Sequence, residues 1–223
     1  MLKSNFNILK KNKIAYSPYT SNFMWPGDRR RFCFFAKEIK LSYSILDLKK
    51  SYDIVLLSAI ADFSKVKIIK RKGSKVIIDL VDSYLTKTNP IKDRLRYIGR
   101  SLKHKNYLSA LLLKKYTDQL KSVLSIADGI ICTTNEQKKS LEVYNSNVHL
   151  ILDNMDDDVV NVNYIKSKNR KELNILWEGL PSNLMNFKEV VPALNALGRK
   201  LQVNLHLVTD ITHYKYLSNF YKV

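Results

Sequence analysis

Along the chain, short runs of apolar, often β-branched residues alternate with longer stretches of helical spacing, a pattern that predicts strands and helices in turn. Residues 52–58 (Tyr-Asp-Ile-Val-Leu-Leu-Ser) and 75–81 (Lys-Val-Ile-Ile-Asp-Leu-Val) are apolar without a two-residue alternation, as expected of strands covered on both faces. Residues 13–18, 129–134 and 147–152 predict three more strands, the first ending at Pro18. Between them, a helix is predicted from Arg29 to about Ile39, with Asp28 as its N-cap after Pro26 and Gly27. Ile91 to Ala127 reads as two helices broken near Asn106, and Glu136 to Tyr144 as a short one.

A second set of elements follows a polar, aperiodic stretch from Asp153 to Arg170, the natural linker. Residues 173–178 (Leu-Asn-Ile-Leu-Trp-Glu) predict a buried strand, 184–198 a helix, and 203–208 (Val-Asn-Leu-His-Leu-Val) another strand. That is a β-α-β unit, the building block of a parallel sheet. The expected organisation is an α/β domain over residues 1–165 and the start of a second, incomplete β-α-β domain over 166–223. Only 15 residues follow Val208, so the pattern is that expected of a two-domain, cleft-forming enzyme cut short.

Composition narrows the class. Cys33 and Cys132 are too few for a disulfide scaffold and lack metal-ligand spacing; each lies in an apolar run, which predicts buried thiols and a reducing, cytoplasmic setting. No segment has the roughly 20 apolar residues of a membrane span, and the N-terminus lacks a signal-peptide core. The net charge is +18, from 38 basic and 20 acidic residues. An anionic membrane surface or a phosphorylated ligand would answer such a charge, and so would the lysine-rich composition of AT-rich genomes. Nucleic acid is not expected, because aromatic-glycine RNA-binding motifs and a zinc-finger pattern are both missing. Residues 92–121 concentrate the charge, with nine Lys or Arg against Asp93 and Asp118.

In open parallel sheets, ligands bind beyond the carboxyl ends of the strands, which directs attention to three segments. In Gly27-Asp28-Arg29-Arg30-Arg31, a glycine beside a helix start and three fixed positive charges would suit a phosphate; alternatively Asp28 only caps the helix. In Asp79-Leu80-Val81-Asp82-Ser83-Tyr84, Asp82 falls at a strand end, where a carboxylate serves as a base or a cap. Glu178-Gly179-Leu180-Pro181-Ser182-Asn183 is a glycine turn before a helix. The four histidines are scattered without zinc spacing and read as structural. A nucleophile elbow, a Walker loop and a dinucleotide fingerprint are all missing, which speaks against hydrolase, NTPase and simple dehydrogenase classes.

Taken in order, Gly27 to Phe32, Asp79 to Tyr84, Ala127-Asp128 with Thr134 to Gln137, Asn147 to Asp153, and Trp177 to Leu180 resemble a subgroup of bacterial GT-B glycosyltransferases, related to glycosyltransferase families 1 and 4. The resemblance implies two Rossmann-like domains facing a cleft. The acceptor, a glycan or lipid-linked molecule, is then held by the first domain, with Asp82 as catalytic base and Gly27, Asp28, Arg30, Arg31 and Ser83 as acceptor contacts. The second domain binds the nucleotide-sugar donor, with Glu178, Gly179 and Asn183 as contacts. It also implies transfer without a metal or other cofactor, in bacterial surface glycan synthesis. Leu180 and Asn183 stand where many relatives carry a basic pair, and the paired-glutamate segment of the donor domain lies beyond Val223. Alone, the chain is therefore expected to be inactive, or to need a partner chain that completes the second domain. The other expectation is a non-catalytic basic α/β module that docks on a membrane or a partner subunit.

Overall fold

The computed structural model describes residues 11–85, 90–107, 114–154, 172–179, 183, 187 and 189–209. Two compact units divide the chain, Met1–Asn161 and Val162–Val223.

In the first unit, six parallel strands form one sheet: β1 (Ile14–Ser17), β2 (Ser44–Ile45), β3 (Ile54–Ser58), β4 (Lys75–Asp79), β5 (Gly129–Cys132) and β6 (Val148–Leu150). Their spatial order is β2-β1-β3-β4-β5-β6. The chain leaves β1 in one direction and returns past it to β3, so the topological switch point lies between these two strands. This is the Rossmann-like α/β arrangement that the apolar runs predict. The helices are α1 (Pro26–Arg29), α2 (Phe32–Glu38), α3 (Val66–Arg71), α4 (Pro90–Lys103), α5 (Tyr116–Leu124) and α6 (Asn135–Glu142), with a 3-10 turn at Phe63–Lys65. The single helix expected from Arg29 is thus two short ones, broken at Arg30 and Arg31. No described helix is long and apolar enough to cross a membrane.

The two faces of this sheet differ. Val55, Leu57, Val76, Ile78, Ile130, Cys132 and Val148 are buried in one cluster with Ile69 of α3, Tyr97 of α4, Leu120 and Leu124 of α5, and Leu141 of α6. On the other face Ile14, Ala36 of α2 and Leu41 form a smaller cluster. Further along that face Ile77 and Ile131 are half-buried and Ile151 is exposed. Covering on both faces, expected from the sequence, is therefore complete on one face only. Of the two thiols, Cys132 is buried, while Cys33 is half-exposed and takes a hydrogen bond from the Tyr43 hydroxyl.

The second unit pairs β7 (Glu172–Glu178) with β8 (Gln202–Val208) in parallel and carries α7 (Val191–Gly198). The expected helix from residue 184 is described only from Val191, and most of the expected linker lies outside the described residues. Leu173, Ile175 and Trp177 alternate with Glu172, Asn174, Leu176 and Glu178, and no residue of β7, α7 or β8 is buried. The strand expected to be buried over 173–178 is half-covered instead, with a period of two.

Candidate functional site

Beyond Ser17 the chain turns sharply, and its backbone donors need an acceptor. Asp28 supplies it. The carboxylate is fully buried and accepts from the Tyr16 hydroxyl at 2.6 Å, the Tyr19 amide at 2.8 Å, and the Thr20 amide and hydroxyl at 3.0 and 3.2 Å. Neither α1 nor α2 receives a side-chain cap, so Asp28 is not the N-cap that the sequence predicts. It ties the β1–α1 loop together instead. Burial and the adjacent Asp28 carboxylate push the Tyr16 hydroxyl far up, so it remains a donor.

Gly27 has a packing role. A Cβ there would lie 2.7 Å from the Tyr19 ring, closer than a real contact allows. The amides that follow it are used inside the turn, from Asp28 and Arg29 to the Trp25 carbonyl and from Arg30 to the Pro26 carbonyl. They are not the open phosphate cradle expected of this segment.

Arg31 is likewise committed. Its Nε lies 2.8 Å from both Asp79 oxygens and its Nη2 2.6 Å from Oδ1, while Nη1 donates to the Ile151 carbonyl at 3.1 Å and to Asp153 at 2.7 Å. Burial works against its charge, but Asp79 and Asp153 more than restore it. The forked guanidinium expected to hold an acceptor phosphate therefore locks the carboxyl ends of β4 and β6 to the α1–α2 junction. Arg30 is exposed, and its carbonyl accepts from the Asn154 amide at 3.0 Å. Together with Arg31, Asp79 and Asp153 it lines a cavity of about 630 Å³ whose walls are mostly apolar, among them Phe32, Phe35, Ile77 and Leu152.

Asp82 lies elsewhere and does not line that cavity. The Gln137 amide on α6 donates to the Leu80 carbonyl at 3.1 Å and the Asp82 carbonyl at 2.8 Å, while its oxygen accepts from the Thr133 amide and hydroxyl. Thr134 caps α6 by accepting from the Gln137 amide at 3.1 Å, which fixes that glutamine. The backbone of Asp82 is therefore pinned while its side chain is exposed. Among the described residues its carboxylate accepts only from the Tyr84 hydroxyl, at 3.4 Å, and caps no helix. Ser83 beside it is exposed. The Tyr84 hydroxyl meets that of Tyr19 at 3.5 Å, so Asp82 connects through two tyrosines to the ring that Gly27 admits.

Arg100 and Tyr116, which no local pattern singles out, converge on the carboxyl end of β3 beside the switch point. Arg100 of α4 donates to the Ala59 carbonyl, just past β3, at 2.7 Å and lies 4.1 Å above the Tyr116 ring. The Tyr116 hydroxyl donates to the same carbonyl at 3.3 Å. Arg100 is one of nine basic residues in its region, and nothing in their spacing separates it from the rest. The expected donor contacts belong to the second unit. Glu178 and Asn183 are exposed, and the Gly179 amide donates to the Val208 carbonyl at 3.1 Å. A Cβ on Gly179 would lie 2.8 Å from the Trp177 indole. Among the described residues no group of three His, Cys, Asp or Glu is placed to hold a metal ion.

Compared with protein-family models, with curated proteins and with solved structures, the chain finds no match.

Proposed function

We propose that the first unit is the acceptor-binding domain of a GT-B-type glycosyltransferase of bacterial surface glycan synthesis, with Asp82 as the base that takes a proton from the attacking hydroxyl. One observation carries the reading: an exposed carboxylate at the carboxyl edge of a parallel sheet, fixed through its backbone by Gln137 and touched by no backbone amide among the described residues. A catalytic base must be held in place yet open to substrate, whereas a structural cap is held but closed off. In this chemistry the acceptor oxygen bonds the anomeric carbon as its proton passes to Asp82, and the nucleoside diphosphate leaves with the former glycosidic electron pair. Tyr19 and Tyr84 flank the acceptor. Arg31 is engaged with Asp79 and Asp153, and Arg30 lines the separate apolar cavity, so neither arginine is assigned to the acceptor. The donor loop at Gly179 offers little, because its amide is used within the β7–β8 pair, and nucleotide-sugar affinity near millimolar, about −4 kcal/mol, is expected in calorimetry.

The test is ligand mapping on the labelled full chain. Titration with oligosaccharides and sugar phosphates should move the resonances of Tyr19, Tyr84 and Asp82. Asp82→Asn should leave stability within about 0.5 kcal/mol and lower sugar transfer by about 100-fold or more. Shifts confined to other regions, or an Asp82→Asn chain with unchanged transfer, would overturn the proposal.

A further inference from the structure

Helix α4 is built inside out. Its core-facing residues include the buried Asp93 and Ser101 beside Tyr97, and one oxygen of the Asp93 carboxylate, Oδ2, accepts from the Thr117 amide and hydroxyl at 3.2 and 2.6 Å. Its outer face carries Ile91, Leu95 and Leu102, which are 68%, 62% and 49% exposed, with half-buried Ile98 between them. The spacing 91, 95, 98, 102 is that of one continuous stripe on a helix. A helix whose outer face meets only water shows the reverse arrangement, polar outside and apolar inside. Exposed Lys92 and Lys103 border the stripe on one side and Arg94 on the other, while Asp93, the one acidic residue of the helix, points inward. Exposed Tyr107 follows one turn later.

We propose that α4 is a membrane-surface anchor, lying in the headgroup layer of an anionic bilayer with Ile91, Leu95, Ile98 and Leu102 turned toward the acyl chains. An apolar stripe edged by lysine and arginine, without an exposed acid, matches a surface that is apolar below and negative above. The flanking charge is what commits the stripe to lipid, since an apolar protein groove would not call for cations on both borders. The anchor does not depend on Asp82 being a base.

Vesicle co-sedimentation of the full chain tests it. Binding to vesicles containing phosphatidylglycerol should exceed binding to pure phosphatidylcholine by at least about tenfold and weaken in high salt. Lys92→Gln, Arg94→Gln and Lys103→Gln together should weaken it by about 100-fold. Leu95→Ser and Leu102→Ser should each weaken it by about tenfold at unchanged charge, with thermal midpoints unmoved because both residues are exposed. Equal binding to neutral and anionic vesicles would overturn the proposal. Wild-type affinity in the serine variants would do the same, because it would leave only a charged surface of the kind that meets an acidic protein.

Discussion

The β3–β4 and β7–β8 pairs are both parallel, and the second has the longer register, yet only the first makes a core. Val55 opposite Val76 and Leu57 opposite Ile78 are almost wholly buried. Leu173 opposite Val203 and Ile175 opposite Leu205 are only half-covered, and on the reverse face Asn174 accepts from the Asn204 amide at 3.1 Å and lies 3.3 Å from His206 Nε2. Backbone pairing is equivalent in the two places, so it does not explain the difference. Helices α3 to α6 cover the first pair, whereas the second unit has α7 among its described elements. Burial follows the covering layer, as the marginal stability of an isolated strand pair requires.

The largest expected effect comes from the polar lock of the first unit. Arg31→Met should destabilise it by about 3–5 kcal/mol, because Asp79 is left buried without its partner. Urea titration read at Trp25 in a Trp177→Phe background measures this. A loss below about 1 kcal/mol would mean that the ion pair is effectively solvated.

A matched pair of glycines sharpens the contrast further. Both glycines sit under an aromatic ring, Gly27 under Tyr19 and Gly179 under Trp177, with a new Cβ at 2.7 and 2.8 Å respectively. Gly27→Ala should cost about 1–3 kcal/mol, since the Tyr19 ring packs against the buried core and its hydroxyl meets that of Tyr84. Gly179→Ala should cost under about 1 kcal/mol, because Trp177 is only half-buried and can turn aside. Equal costs in thermal unfolding would contradict the difference in packing.

The smallest effect is a pH effect. Burial works against the Asp128 carboxylate, but the Lys70 ammonium at 2.7 Å and the Val76 amide outweigh it and hold its pKa below the usual carboxylate range. A depressed folded-state pKa adds stability above the unfolded value and loses it as pH falls through the folded one. Asp128→Asn should therefore cost about 0.5 kcal/mol near neutrality, with the gap to wild type closing as pH falls through the depressed folded-state value. A gap that widened in acid would reverse the assignment.

The five longer strands of the first unit were legible because each is a compact apolar run ending in turn residues. Strand β2 was not, since Ser44 and Ile45 are two exposed residues with no period to read. Near Asp28 the sequence located the right segment but the wrong partners: a capping aspartate and a buried one that gathers loop donors have the same local signature. Arg31 meets Asp79 and Asp153 at separations of 48 and 122 residues, which no local spacing encodes. Asp82 was visible as a carboxylate at a strand end, whereas Gln137, which pins it, became apparent only once β4 and β5 were adjacent. Strand β7 reads as buried because Leu-Asn-Ile-Leu-Trp-Glu contains enough apolar residues to hide its alternation.

Native-state hydrogen exchange on the monomeric full chain tests the contrast most directly. The amides of residues 55–57 and 76–78 should exchange only through global unfolding, and those of residues 173–177 and 203–207 faster by about a thousandfold or more. Uniform, strong protection across both sheets would contradict it, and would mean that the second pair is covered as completely as the first.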